Sequence, residues 1–311
     1  MIDPIVLLVN PAAGGGRGKK LMHRAYAALR TVGPVEIMES ERPGDESRLA
    51  AIAAHARTRA LVVLGGDGAV SHAARGLIAE RASTPLAVLS AGTGNDFVKS
   101  LRSPSHDFLA MAQLIGRGTS RAIDAGSVNG ATFVNAAGFG FDVDVLRSIH
   151  TAPSARMLSG SALYAVTAVQ QLFQYRAFDA TLTLADDSAV EAGRTTSERT
   201  SSERTKWMTM VFAKGQWFGG SFRIAPSATL DDGRMDIVAI RDVAPLFRAA
   251  LFARALRGAH IGHRAVRSER AREVSLTFDA PPCFQCDGEL HQAHGATVVV
   301  RCLPHAFRVI A

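Results

Sequence analysis

Apolar segments alternate with amphipathic ones over the first 125 residues. Ile5–Val9, Val35–Met38, Leu61–Leu64 and Leu86–Leu89 are short, apolar-rich runs of the buried-strand type. Between and after them, 18–31, 45–57 and 69–80 read as helices. In the first, Leu21, Ala25, Ala28 and Val32 form one stripe, while Lys19, Lys20, Arg24 and Arg30 lie mostly off it. Strand and helix in alternation predict an α/β region with a mostly parallel sheet and helices on both faces.

Near Asp124 the pattern changes. Shorter strand-like segments at 121–128, 131–136, 178–184, 207–213, 235–240, 273–279, 283–286 and 296–302 predict a β-rich region of sandwich type. Helices are expected at about 160–174 and 244–257. The polar near-repeat GRTTSERTSSERT, 193–205, reads as a mobile loop. The expected division is a first domain over 1–125 and a second over 126–302.

Composition narrows the class. A chain of 311 residues with 47% hydrophobic content is long enough for two cored domains. The three cysteines, Cys283, Cys286 and Cys302, are too few and odd in number for a disulfide framework, which argues for a reducing compartment. The start, MIDPIVLLVNP, lacks a basic leading segment, and its apolar run breaks at Asn10-Pro11. No apolar run reaches the roughly 18 residues of a spanning helix. A soluble, cytoplasmic protein is expected. The net charge of +7 suits an anionic partner. With 6% aromatics and no basic–aromatic alternation, nucleic acid is disfavoured against a nucleotide or an acidic membrane surface.

Candidate chemistry sits in three glycine-rich segments that follow strand ends: NPAAGGGRG (10–18), GGDGAV (65–70) and AGTGNDF (91–97). Ligands of an open parallel sheet gather beyond the carboxyl ends of its strands. Glycine lets bare N–H groups approach an anion there, and a helix N-terminus adds a favourable dipole. A polyphosphate ligand is implied. Neither the P-loop nor the dinucleotide fingerprint is present. Cys283-x-x-Cys286, with His291 and His294 downstream, is spaced too tightly for a zinc finger, so strand-buried cysteines are expected.

VNPAAGGG, GGDG, GTGNDF, GQWFGGSFRIAPSATLDDGRMDIV (215–238), CDGEL (286–290) and LPHAFRVI (303–310) occur in one order over nearly the whole chain. This set resembles the diacylglycerol kinase catalytic family, in its soluble bacterial lipid-kinase branch (YegS/DgkB-like). GGDG alone is shared with NAD kinases; GTGNDF with AP-x-A-x-x-DDG-x-x-D is more specific. The resemblance implies an N-terminal nucleotide domain, a β-sandwich lipid-substrate domain, an active site in the cleft between them, and a return of 303–311 to the first domain. It implies transfer of the ATP γ-phosphoryl group to a lipid hydroxyl, with diacylglycerol or a related lipid alcohol as acceptor.

The resemblance also implies roles. Asn10, Pro11, Ala12, Ala13 and Gly14 match the first nucleotide loop, and Ser40 stands where a nucleotide-contacting Thr is usual. Gly65, Gly66, Asp67, Gly68, Ala69, Val70, Ser71 and His72 match the diphosphate loop, with Asp67 holding Mg²⁺. Thr93, Gly94, Asn95 and Asp96 match GTGNDF; Asp96 equally suits a helix cap. Glu289 or Asp287 is the expected catalytic base. Placed two apart, they would face one side of a strand, while Asp-Gly also suits a hairpin turn. Asp231, Asp232, Gly233 and Asp236 resemble a second, structural cation site, with Asp232 and the carbonyls of Thr229 and Arg234 as Mg²⁺ ligands.

Ala69 and His72 replace the Thr and the Asn or Glu common in the family. Arg17 or Lys19 stands in for a loop lysine. Helix 244–257, with Arg248, Arg254 and Arg257, suits either an anionic bilayer or internal packing of its apolar face. Two rival readings remain. One is an NAD kinase, which does not account for GTGNDF or DDG-x-x-D. The other is a catalytically weak nucleotide- or lipid-binding regulator, suggested by Ala69 and His72.

Overall fold

The computed structural model describes residues 3–151, 167, 169, 171–172, 174–184 and 201–311. Two compact units emerge: Met1–Asp124 with His305–Ala311, and Ala125–Pro304.

The first unit is built on parallel strands β1 (Ile5–Val9), β2 (Val35–Glu39), β3 (Ala60–Gly65) and β4 (Leu86–Ser90). They lie in the order β4-β3-β1-β2, and the end of β15 (Thr297–Val309) pairs in parallel with β4 at Val309 and Leu86. Three of them are buried along their whole length, which is why their sequences are continuous rather than alternating apolar runs. Helices α1 (Ala13–Arg30) and α5 (Phe108–Arg117) cover one face: Ala25 and Leu29, with Met111 and Ile115, pack on Leu7, Val62 and Leu89. Helices α2 (Asp45–His55) and α3 (Asp67–Ala79) pack together, and the short α4 (Asp96–Leu101) follows β4.

The second unit is antiparallel. The strands involved are β5 (Arg121–Val128), β6 (Ala131–Phe133), β7 (Ala136–Gly140), β8 (Phe178–Leu184), β9 (Ser201–Ala213), β10 (Met235–Arg241), β11 (Val266–Ala271), β12 (Glu273–Phe278), β13 (Cys283–Cys286) and β14 (Glu289–Gln292). The main order is β14-β13-β7-β9-β8-β12-β15, with β10 and β11 continuing from β9, and β5 and β6 continuing from β15. The long β9 pairs with β8 along its first half and with β7 along its second. One core gathers Phe139 against Phe212, Phe278 and Phe284, over a fully buried Trp207. A second packs α6 (Phe141–Thr151) and α7 (Pro245–Ala255) on β9 and β10 through Phe141, Val145, Leu251 and Val238.

Several expectations are corrected. The segment 131–136 is two strands, because the N–H groups of Val134, Asn135 and Ala136 turn to the Asp287 carboxylate. Residues 201–205 are not loop but the start of β9, paired with Ala180–Leu184. The rest of the polar repeat, 193–200, and most of the helix expected at 160–174 lie outside the described residues. A helix does begin at Asp96, as α4, with Asn95 rather than Asp96 at its cap position, whereas helices α5 and α6 and strands β11 and β14 were not anticipated. Among the described residues, no helix is long and apolar enough to cross a membrane.

Candidate active site

In the first unit, the loops after β1, β3 and β4 meet backbone to backbone. The N–H groups of Ala91 and Gly92 donate to the Gly65 carbonyl at 2.9 and 3.2 Å. A Cβ on Gly92 would stand 2.5 Å from Gly66 Cα, and one on Gly14 would stand 2.1 Å from the Ala91 carbonyl oxygen. Glycine is therefore required at the seam itself. Gly14 also has φ 58°, so α1 runs regularly only after Gly16. Gly66 is the N-cap of α3, whose first-turn N–H groups lack intrahelical acceptors.

Asp67 ties two of these loops. Its Oδ1 accepts the Phe97 N–H at 3.3 Å, and the N–H groups of Asn95 and Asp96 also act on it. Desolvation, then the neighbouring Asp96 charge, pushes its carboxyl up to about 6. Asp96 is buried and paired with Lys99 at 3.1 Å. A desolvated carboxylate under a second negative charge is relieved by a divalent cation, so Asp67 fits the Mg²⁺ role.

The other expected nucleotide residues divide. Gly68 and Thr93 are exposed; Gly65, Ala69, Val70 and Ser71 are buried, and the Ser71 hydroxyl accepts from Arg75. Asn10 is committed internally: its Nδ2 donates to Glu46 at 2.8 Å and its Oδ1 accepts from Ala12 N–H at 3.0 Å. A cavity of about 380 Å³ is lined by Asn10, Pro11, Ala12, Ser40, Gly68 and His72. Glu46, which sequence reading passed over, lines it too, and its Oε2 is buried with no hydrogen-bond partner. Its only advance signal was an acidic residue in the first turn of a helix. A second cavity, about 540 Å³, borders Gly92–Asn95 and carries Arg17, Lys99 and Arg102. Arg17 lines this cavity and Lys19 does not.

In the second unit, Asp287 and Gly288 form the two-residue turn joining β13 to β14, both with positive φ (50° and 88°). The Asp287 carboxylate accepts from Val134, Asn135 and Ala136 N–H groups at 2.8, 2.9 and 3.1 Å. These three bonds tether the β13–β14 turn to the segment between β6 and β7. Asp287 does not share a strand face with Glu289, which starts β14 opposite Cys286 and is half-buried. Cys286 is buried and Cys283 partly exposed.

At the second expected cation site, a protein cation meets the candidate ligands. Lys214, fully buried, places its Nζ on Asp232 Oδ1 at 3.0 Å and on the Arg234 carbonyl. Two of the three expected Mg²⁺ ligands, Asp232 and Arg234 in the set with Thr229, are thus bound to an ammonium. Helix α7 differs from expectation in one residue. Arg248 is buried, donating to the Val243, Leu172 and Tyr175 carbonyls and pairing with Asp242 at 2.6 Å. Arg254 and Arg257 are exposed, as are Leu246, Phe247 and Leu256. A narrow apolar cavity lies between α7 and the sheet, lined by Phe141, Met208, Phe222 and Phe252, with Asp142 and Thr209 at its edge. Burial pushes the Asp142 carboxyl up to about 6, against hydrogen bonds from Gln285 and Thr209.

Residues 4–128 match the family described as "Diacylglycerol kinase catalytic domain", and residues 135–311 match "YegS C-terminal NAD kinase beta sandwich-like domain". A diacylglycerol kinase of Mycobacterium tuberculosis is 30% identical over 88% of this chain and 85% of its own. A probable YegS-like lipid kinase of Pseudomonas aeruginosa is 28% identical over 76% and 71%. A solved structure titled as a putative diacylglycerol kinase of Bacillus anthracis shares the fold, with TM-score 0.76 at 18% identity over 99% of this chain and 95% of that one. The chain belongs to the diacylglycerol kinase catalytic family, in its YegS/DgkB-like branch, and is a lipid kinase.

Proposed function

We propose that this lipid kinase transfers the terminal phosphoryl group of ATP to the hydroxyl of diacylglycerol or a closely related lipid alcohol. The observation that carries the reading is the three-loop seam around the α3 N-terminus, flanked by two cavities. Phosphoryl transfer asks a protein mainly for positioning and charge neutralisation. Backbone N–H groups at Gly66–Gly68 and Thr93–Gly94 cradle the phosphates, and Arg17 and Lys99 add positive charge. Asp67 holds Mg²⁺, which neutralises phosphate oxygens. The cavity beside Ser40 and His72 takes the nucleoside, where Glu46 Oε2 accepts from an amino or ribose hydroxyl group.

Glu289 takes the proton of the acceptor hydroxyl. The apolar cavity under α7 receives hydrocarbon. Leu246, Phe247 and Leu256, with Arg254 and Arg257 nearby in sequence, make peripheral contact with an anionic bilayer. The test is incubation with γ-labelled ATP and a total lipid extract, with NAD as a parallel acceptor. Label in a phosphatidic acid-like product supports the reading. Label in NADP alone, or tight ATP binding with no labelled lipid, refutes it.

A further inference from the structure

The DDG-x-x-D segment has the oxygen donors of a hard-cation site, yet the fold gives those donors to protein cations. Lys214 follows β9 and is fully buried. Its N–H and that of Gly215 donate to the Asn135 carbonyl at 2.8 and 3.0 Å, which fixes the stem of the side chain. Its ammonium lies 3.0 Å from Asp232 Oδ1 and bonds the Arg234 carbonyl. Asp232 Oδ2 is held by the Arg270 guanidinium, whose Nε is also 3.6 Å from Asp236 Oδ2. Asp236 is buried and accepts from Ser227 Oγ at 2.5 Å.

We infer that the Lys214 ammonium is a built-in replacement for a structural divalent ion in the second unit, so that this site needs no metal. Charge balance favours it. Two carboxylates, Asp232 and Asp236, already face two cations, Lys214 and Arg270; adding a divalent ion would leave the cluster with an excess of two positive charges at low dielectric. Geometry favours it as well. An ammonium is a compact point charge with three donors, and it fills the volume that an oxygen-coordinated ion would need. The inference does not depend on the phosphoryl-transfer reading, since it concerns the stability of the second unit.

The test is thermal unfolding without nucleotide, in chelator and in millimolar Mg²⁺ or Ca²⁺, for the wild type and Lys214→Ala. Any shift that the ion produces through Asp67 should be common to wild type and variant, and the wild type should gain nothing beyond it. Removing one partner of a buried charge pair should lower the variant's midpoint by roughly 10 °C, and the divalent ion should restore several degrees of that loss. A wild type stabilised as much as the variant, or a variant that no divalent ion restores, overturns the proposal. Wild-type crystals soaked in Mn²⁺ supply a readout that needs no folded variant. An anomalous peak between Asp232 and the Arg234 carbonyl overturns the proposal, and Lys214 Nζ there with no peak supports it.

Discussion

Asp67 and Asp287 are both carboxylates beside glycine, yet their surroundings give them opposite work. Asp67 is strained electrostatically: its folded pKa of about 6 lies above the unfolded value of 3.8. A raised carboxylate pKa penalises the folded state as pH climbs from about 4 through 6, by at most about 3 kcal/mol. Asp67→Asn should therefore raise the unfolding midpoint at pH 8 but not at pH 4, while phosphoryl transfer falls by at least about a hundredfold. Asp287 works through hydrogen bonds instead, accepting three backbone N–H groups. Asp287→Asn should cost about 2–4 kcal/mol of stability in denaturant titration. Glu289→Gln should leave stability nearly unchanged and lower kcat by about 10²–10⁴-fold. Asp67 was legible because GGDG carries it. The bonds that hold Asp287 were not, because their N–H donors lie more than 150 residues away in sequence. Lys214 was invisible for a similar reason: Asp232 is 18 positions off, and only the fold brings them together.

Secondary elements were legible wherever burial imposes a simple period. The fully buried strands of the first unit read as uninterrupted apolar runs, and β8 and β13 fall at the expected residues. Legibility failed where polar residues occupy strands, as in β11 (VRSERA) and the start of β9 (SSERT), whose pairing comes from neighbours rather than composition. At α4 the helix was legible but its cap was not: Asn95, in a left-handed conformation (φ 54°) and with no side-chain cap bond, precedes it, and Asp96 is its first residue. The three-loop seam rests on tolerance-free glycine contacts. Gly92→Ala forces the β3 and β4 loops apart, with an expected cost of about 1–3 kcal/mol. It should weaken ATP binding by tenfold or more, measured by calorimetry.

For the molecule as a whole, the excess of basic residues and the apolar tip of α7 point the same way. Leu246 is 78% exposed and Phe247 59%. Burying a Phe side chain is worth about 1.5–3 kcal/mol, so Phe247→Ser should lower partition onto anionic vesicles by about tenfold in sedimentation. Added salt should weaken binding further, because the Arg254 and Arg257 contribution is screened. The path of the last strand has a different consequence. Val309 and Ile310 are buried against β4, Phe307 stacks on Phe97 at 6.3 Å, and Arg308 holds Ser120 at 2.7 and 2.9 Å. During translation the whole of 125–304 is made before these residues emerge. Until then β4 keeps an open hydrogen-bonding edge, vulnerable to mispairing. Chains cut before residue 305 would leave Leu86 without its partners Val309 and Ile310 and should aggregate more readily, which light scattering at matched concentration would show.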